Sequence, residues 1–198
     1  MKNSIKKVLL GMLLATTAVS AHAATVFSDN FNANPYVLNS TPAGWSVSSG
    51  TVDTIGPNSP FDFIPGNGMY IDLDGSTGNA GVLSKVFNFT AGTKYTVSFD
   101  LAGNRRNAGN DVVNVNFGTT ATTYTLSSTD GFANHSLVFL PASSGNYTLS
   151  FGDVGHDNMG ALLDNVVVNS VVPVPAAIWL FGSGLAGLIA AKRKKNTV

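Results

Sequence analysis

Residues 93–101 read TKYTVSFDL, and the alternation of apolar and polar side chains along them decides the fold class. Successive side chains of a β-strand point to opposite faces, so a period of two predicts a strand with one buried face. Residues 111–117 and 146–151 show the same alternation. In the first segment the apolar face consists of Tyr95, Val97, Phe99 and Leu101.

Eight further segments are apolar or β-branched and are bounded by Gly, Asn, Asp and Pro, as strands are. They lie at residues 26–31, 45–47, 51–55, 69–73, 82–89, 122–126, 135–140 and 162–168. No part of the middle of the chain has a helical period, and its composition also disfavours helix. Ten or eleven short strands predict an all-β fold, a two-sheet jelly-roll β-sandwich.

Charge is distributed unevenly along the chain, although the formal net charge is zero. Residues 24–172 hold all eleven acidic residues, every one an Asp, and only four basic residues: Lys85, Lys94, Arg105 and Arg106. So acidic a segment excludes nucleic-acid binding through neutralisation of phosphates. The chain has no Cys, so an exported domain here relies on its core without disulfides.

Residues 1–23 have the features of a secretory signal peptide. Three lysines precede an apolar stretch at residues 8–19, and Ala-His-Ala at residues 21–23 provides a small-x-small cleavage site. We expect cleavage after Ala23. The alternative, an uncleaved anchor helix, is disfavoured because the apolar stretch is short for a membrane span.

The C-terminal end predicts a membrane anchor. Residues 174–191 carry no charge, and we predict a single transmembrane helix at residues 176–191. Four consecutive basic residues follow, so the positive-inside rule places the tail, residues 192–198, in the cytoplasm and the β-domain, residues 24–170, outside. Two prolines hold the intervening segment, residues 171–175, extended.

The sequence VPVPAAIWLFGSGL at residues 172–185, followed by the basic cluster, resembles the PEP-CTERM sorting tail of Gram-negative bacteria. The resemblance implies export through the inner membrane and processing by an exosortase-type enzyme, after which the protein is at the surface or outside the cell. It also implies an association with exopolysaccharide. Val174 stands where this family usually has Glu, so the tail is a variant. The residues implied in processing are Pro173, Val174, Pro175 and Ala176.

The domain also resembles a known group, the galactose-binding-like jelly rolls of carbohydrate-binding modules and the choice-of-anchor surface proteins. The resemblance rests on an ordered set of short motifs: NF at 30–31, GWSV at 44–47, YIDLDG at 70–75, GTKYTVSFDLAGN at 92–104 and LDNV at 163–166. It implies a structural calcium ion between the first and last strands. The matching residues are Asn32 and Asp164, with Asp29 available to replace the acidic residue usual at Asn32. The alternative is that Asp164 only makes turn hydrogen bonds.

Residues with catalytic potential are few. No Cys is present, no Gly-x-Ser-x-Gly elbow occurs, and after signal removal only His135 and His156 remain. We interpret His135 as an outward polar residue of a strand. Asp72 and Asp74 share a strand face, and we interpret them as a solvated face or metal ligands, since a glycosidase pair needs separated pKa values. We therefore expect no enzyme.

Ligand binding has better candidates in the loops. Sugar sites combine an aromatic platform with polar groups, and three aromatic residues lie in polar loops: Tyr36, Phe61 and Phe63. Trp45, at a strand start, is predicted in the core. The loop at 103–110 carries Asn104, Arg105 and Arg106, and we expect the loop around His156 to join the same rim. The two arginines either bind an acidic sugar or balance nearby Asp residues.

These observations predict an exported, non-catalytic β-sandwich that binds polysaccharide in the exopolysaccharide or biofilm matrix. Its expected partners are an exosortase-type processing enzyme, a polysaccharide or other matrix component, and the membrane before processing. The alternative is a structural or adhesive surface protein that binds other proteins. A hydrolase is the third and least favoured candidate.

Overall fold

The computed structural model describes residues 22–172, and this part of the chain is built from strands and turns. It contains no helix that is long and apolar enough to cross a membrane. The predicted membrane helix at 176–191, the basic tail at 192–198, the sorting residues 173–176 and residues 1–21 of the signal peptide lie outside the described residues. The first strand begins at His22, one residue before Ala23, the predicted end of that peptide.

Eleven strands form in the described residues, and each predicted segment overlaps one of them. They are β1 (His22–Asp29), β2 (Ser46–Ser48), β3 (Asp53–Ile55), β4 (Tyr70–Asp72), β5 (Val82–Phe89), β6 (Lys94–Ala102), β7 (Asp111–Phe117), β8 (Thr120–Leu126), β9 (Ala133–Phe139), β10 (Gly145–Asp153) and β11 (Leu162–Val172).

The strands build two antiparallel sheets. One has six strands in the order β3-β4-β11-β6-β9, with β1 also paired to β11, and the other has five in the order β2-β5-β10-β7-β8. Because β6 occupies one side of β11, β1 and β4 share the other side, β4 at Leu162 and Leu163 and β1 farther along. The prediction of an all-β, two-sheet fold is confirmed.

The main core lies between the sheets. In β6 the alternate side chains predicted to face inward are buried, and they meet those of β7 and β10, including Val115, Phe117 and Phe151. Burying each such side chain stabilises the fold by roughly 1.5–3 kcal/mol. Trp45 is also in this core, as predicted, and its indole N–H donates to Asp29 Oδ2 at 2.8 Å.

His135 lies on the inner side of β9, so the prediction of an outward residue is wrong. Its side chain shares a face with Leu137 and Phe139 because all three are spaced by two along the strand. The imidazole packs 4.5 Å from the ring of Tyr124 and 6.0 Å from that of Phe99, between centroids. Which face of a strand a polar residue occupies is predicted by the residues two positions away and not by its own polarity.

A second, smaller apolar cluster covers one end of the six-stranded sheet on its outer face. Tyr70, Ala102 and Leu162 belong to it, whereas their chain neighbours Ile71 and Leu101 point into the main core. The sheet is therefore buried on both faces at this end. The half-buried members that cover it are Leu38, Phe61, Phe63, Ile64 and Phe132.

Burial on both faces places Asp72 and Asp74 inside the protein. Asp72 is 2% exposed and Asp74 is fully buried, so the interpretation of a solvated strand face is wrong. Asp74 Oδ2 accepts hydrogen bonds from the backbone N–H groups of Asp157 and Asn158, both at 3.0 Å. The carboxylate thereby ties down the loop that precedes β11.

Candidate functional site

Five loops meet at the end of the sandwich where β6 ends and β11 begins, and they enclose a cleft of about 270 Å³. The loops follow β1, β3, β4, β6 and β10 in the chain. We call this the rim cleft and define it by six of its lining residues: Asp53, Phe61, Phe63, Asp72, Ser76 and Arg106.

Phe61 and Phe63 form the aromatic side of the rim cleft, and Tyr36 extends their row of rings. The ring centroid of Phe61 lies 6.2 Å from that of Phe63 and 6.5 Å from that of Tyr36. The guanidinium of Arg106 lies over Phe63, 4.7 Å from its centroid, which is a cation–π contact. Four residues chosen from the sequence as ligand candidates are therefore brought together, although they are spread over some seventy positions.

Tyr70 fixes the backbone that carries these rings. Its hydroxyl accepts hydrogen bonds from the N–H of Phe63 at 2.6 Å and of Ile64 at 3.1 Å. Burial raises the pKa of Tyr70 to about 12, so the hydroxyl keeps its proton and can also donate, to Phe61 O at 3.4 Å. No sequence signal marked Tyr70, which reads only as a strand residue.

The polar side of the cleft is a network around Arg106. Its Nη2 forms an ion pair with Asp72, its Nη1 donates to Asn158 O at 2.6 Å, and its Nε donates to Asn104 O at 3.4 Å. Burial raises the pKa of Asp72 above its usual value, and the Arg106 guanidinium opposes that rise. Of the two roles considered for Arg106, balancing an Asp is thus observed.

Asp53 completes the polar side, and sequence reasoning missed it together with Ser76. Asp53 is 4% exposed. It accepts hydrogen bonds from Asn39 N at 2.6 Å, from Ser76 N at 3.1 Å and from Ser76 Oγ at 2.5 Å. A lone Asp in a three-residue strand carries no pattern that distinguishes it from a surface residue.

The other predicted ligand residues of these loops lie outside the rim cleft. Asn104 and His156 line a neighbouring cleft of about 350 Å³, on the far side of the Arg106 loop. Arg105 is exposed, and its Nη1 donates to Thr129 O. Asn104 is nearly fully buried and acts as a loop anchor, since its N–H and its amide both donate to Asp111.

The neighbouring cleft is acidic, with Asp111, Asp153 and Asp157 on its wall. Burial raises the pKa of Asp111 to about 6; hydrogen bonds from Asn104 oppose the rise, and the carboxylates of Asp153 and Asp157 add to it. Burial also raises the pKa of Asp153. No group of three or more His, Cys, Asp or Glu side chains within residues 22–172 is arranged to hold a metal ion.

The three residues implied in calcium binding lie near the junction of β1 and β11. Asp164 is 2% exposed, and its oxygens accept hydrogen bonds from Asn165 N and from Asn67 Nδ2, both at 2.6 Å. Asn32 Oδ1 accepts from Met69 N at 2.7 Å, and Asp29 accepts from Phe31 N and Trp45 Nε1. The oxygen ligands that calcium prefers are present, but each already accepts a protein hydrogen bond.

Burial raises the pKa of Asp164 to about 6, and repulsion from the carboxylates of Asp100 and Asp29 adds to that rise. Hydrogen bonds from Asn165 and Asn67 act in the opposite direction. Three carboxylates therefore lie close enough to repel one another, which is an environment that a bound cation relieves.

The sequence between Ser28 and Asn169 matches the family described as "Protein of unknown function (DUF642)", over residues 28–169. The chain belongs to the DUF642 family. The match spans the whole sandwich from the end of β1 to β11, including every residue of the rim cleft. No curated protein matches the chain in sequence.

Solved structures share the fold of this DUF642 domain at low sequence identity. The K3 cleaved adhesin domain of Lys-gingipain from Porphyromonas gingivalis has a TM-score of 0.52 and 15% identity, covering 73% of this chain and 98% of that one. The CBM22-1 xylan-binding domain of Xyn10C from Paenibacillus barcinonensis has a TM-score of 0.50 and 12% identity, with coverages of 78% and 99%.

Part of a larger protein is also similar in structure. The chain spans 30% of the CBM22-1–GH10 modules of xylanase 10B from Clostridium thermocellum, at 13% identity and a TM-score of 0.49, and covers 77% of its own length. At such identities the likeness concerns the fold, and the residues that bind a ligand must be argued from this chain itself.

Proposed function

We propose that the domain binds carbohydrate without chemical conversion and that the rim cleft is the binding site. The observation that carries the proposal is the row of Phe61 and Phe63 facing a buried polar wall of Asp53, Asp72 and Arg106. Aromatic faces pack against the apolar faces of sugar rings, while carboxylates accept hydrogen bonds from sugar hydroxyl groups. The fold shared with a xylan-binding domain supports this reading.

Native affinity electrophoresis against a panel of polysaccharides tests the proposal. Phe61→Ala removes the central ring of the row, and we expect retardation by the recognised polymer to weaken roughly tenfold, or about 1.4 kcal/mol. Val86→Ala is the matched control, because Val86 is 60% exposed on another strand and touches no part of the cleft. Equal binding by both variants would show that the site lies elsewhere. If no polysaccharide of the panel were bound, a protein partner would be favoured.

We also propose that the domain has no catalytic activity. The chain has no Cys and no Glu. His135 is packed between aromatic rings, and His156 lies in the neighbouring cleft rather than beside the Phe row. In the rim cleft, Asp72 is held in an ion pair and Asp53 accepts three hydrogen bonds, so neither is free to serve as acid, base or nucleophile. Incubation with the recognised polymer should release no reducing ends.

Calcium at Asp29, Asn32 and Asp164 is proposed as a stabilising ion. The charge repulsion at Asp164 supports it, and Asn67 would have to yield its contact with Asp164 Oδ2. A ligand that binds only the folded state raises the melting temperature. We expect calcium added to EDTA-treated protein to raise it, whereas magnesium, which tolerates irregular sites poorly, should not. An unchanged melting temperature in calcium would refute the site.

The route to the surface is proposed from the two ends of the chain. The signal peptide at 1–23, the membrane helix at 176–191 and the basic tail support export, membrane anchoring and processing by an exosortase-type enzyme near residues 173–176. The exopolysaccharide or biofilm matrix is the place where such a protein meets polysaccharide. Intact-mass analysis of the exported protein should find it without Lys192 to Lys195. A mature protein that keeps these lysines would contradict the processing step.

A further inference from the structure

We propose that the rim cleft selects uncharged sugar residues and rejects acidic ones. This inference rests on the proposed function, carbohydrate binding in the rim cleft, and adds the class of sugar. Two observations support it. Arg106, the cation that would have to bind an acidic sugar, already forms an ion pair within the protein, and the groups around it are mainly carboxylates.

Arg106 is already committed within the protein. Asp72 neutralises its charge, and three of its five N–H groups point to Asp72, Asn158 O and Asn104 O. Its planar face is also covered on one side by Phe63. A sugar carboxylate would have to displace Asp72, which is 2% exposed and would then be a buried charge without its counter-ion, held only by the N–H groups of Asp74 and Gly160.

The cleft as a whole carries one more negative charge than positive. Asp53 and Asp72 face a single guanidinium, and within residues 22–172 no other basic side chain lines the cavity. The surrounding loops add Asp62 and Asp74, while Arg105 turns away toward Thr129. An approaching uronate therefore meets repulsion both in the cleft and around it.

Uncharged sugars match the remaining groups. Asp53 Oδ1 and Asp72 Oδ2 each accept one protein hydrogen bond, so each keeps a lone pair that can accept a hydrogen bond from a sugar hydroxyl, whereas a uronate carboxylate cannot donate to them. The rings of Phe61 and Phe63 offer apolar faces that carry no charge requirement. The cleft has a volume of about 270 Å³, which is close to the lower end of the range for ligand pockets, about 300 Å³. It can therefore hold a short segment of a polysaccharide.

Matched pairs of polymers test the inference. Alginate and xanthan would be compared with their carboxyl-reduced forms, alongside xylan, mannan and galactan, by affinity electrophoresis of the purified full chain at low and physiological salt. We expect at least tenfold tighter binding of uncharged polymers, with little change on adding salt. Native acidic polymers binding as tightly as their reduced forms would overturn the inference and leave carbohydrate binding intact. Binding of no polymer would overturn both.

A charge variant separates the cleft from the overall charge of the domain. Ser76 is exposed on the cleft wall, so Ser76→Lys adds a cation there, and we expect it to gain binding to native acidic polymers. Ser136→Lys adds the same charge on the outer face of β9, away from the cleft, and should leave the preference unchanged. An equal gain in both variants would show that net charge decides, and would overturn the inference.

Discussion

Tyr70 shows how a residue without surface exposure shapes the candidate site. The hydroxyl is the acceptor for two consecutive backbone N–H groups, those of Phe63 and Ile64, in the loop that bears the aromatic row. The ring is held edge-on against Phe132 in the small outer cluster. The position of Phe63, and with it the support under Arg106, thus depends on an oxygen that no ligand touches.

Tyr70→Phe tests this dependence. Loss of the hydroxyl leaves two half-buried N–H groups without their acceptor, which lowers the free energy of unfolding by about 0.5–1.5 kcal/mol for each lost hydrogen bond. We expect a melting temperature lower by roughly 2–4 °C per kcal/mol and weaker polysaccharide binding. The matched control is Tyr147→Phe, which loses a half-exposed hydroxyl that donates to Ser143 O, outside the cleft loops. That variant should bind polysaccharide as the wild type does. An equal loss of binding in both variants would show that Tyr70 does not position the aromatic row.

Asp164 makes a second residue-scale prediction, on pH. Its pKa of about 6 in the folded state lies above the usual 3.8, so the folded state binds the proton more tightly. The resulting stabilisation is complete below about pH 4 and is lost as pH rises through 6. In EDTA, the melting temperature of the wild type relative to Asp164→Asn should therefore fall between pH 4.5 and 7. Asp130→Asn, at an exposed position, controls for loss of a carboxylate. A wild-type advantage that grows with pH would contradict the prediction.

At the residue scale, the surroundings of a side chain can be predicted from sequence when its residue type usually occurs in one kind of environment. They cannot be predicted when the type occurs in several. Aromatic residues in polar loops are costly unless they pack or bind, and Phe61 and Phe63 were found from that rule. Asp occurs in several environments, and Asp72 is contacted by residues of two distant loops, Arg106 after β6 and Gly160 after β10. Its partner Arg106 is 34 positions away, and no local pattern joins the two.

At the scale of elements, strands were predictable and the loops between them were not. The alternation in β6 and β7 gives both the strand and its buried face, because the two-residue period is a property of the backbone. The loop after β6 contains instead two non-glycine residues with positive φ, Arg105 at 58° and Asn107 at 56°. The shape of this loop depends on hydrogen bonds to β7 and to residues 127–130. No local sequence pattern predicts these contacts.

Gly103 allows that loop to leave β6 as it does. A Cβ atom at this position would overlap the carbonyl oxygen of Ser127, a backbone atom that cannot move aside cheaply. We expect Gly103→Ala to lower the melting temperature by several degrees and to weaken binding by displacing Arg106. Gly109, in the same loop, has open space around its Cβ position, so Gly109→Ala should change neither quantity. Similar effects of the two substitutions would show that the loop responds to backbone stiffness rather than to the overlap.

On the scale of the described domain, the rim cleft and the pair His22–Val172 lie at opposite ends of the same sheet. β11 starts beside the cleft, where Leu162 pairs with Asp72 and Ala102, and ends at Val172, where it pairs with His22 at the start of β1. Ten residue steps at about 3.3 Å separate these ends, or roughly 33 Å. The first and last described residues are therefore paired with each other at the end far from the cleft.

This arrangement predicts that anchoring leaves the cleft accessible. The residue after Val172 is the first proline of the sorting segment, so a membrane-held chain has its point of attachment about 33 Å along β11 from the cleft loops. We expect the full chain reconstituted in lipid vesicles and a released domain of residues 24–172 to bind the same polysaccharide with affinities within about twofold, measured by co-sedimentation and by calorimetry. Phe61→Ala in both forms controls for binding to lipid. Loss of binding only in vesicles would show that processing uncovers the site, and would make release from the membrane the step that switches the protein on.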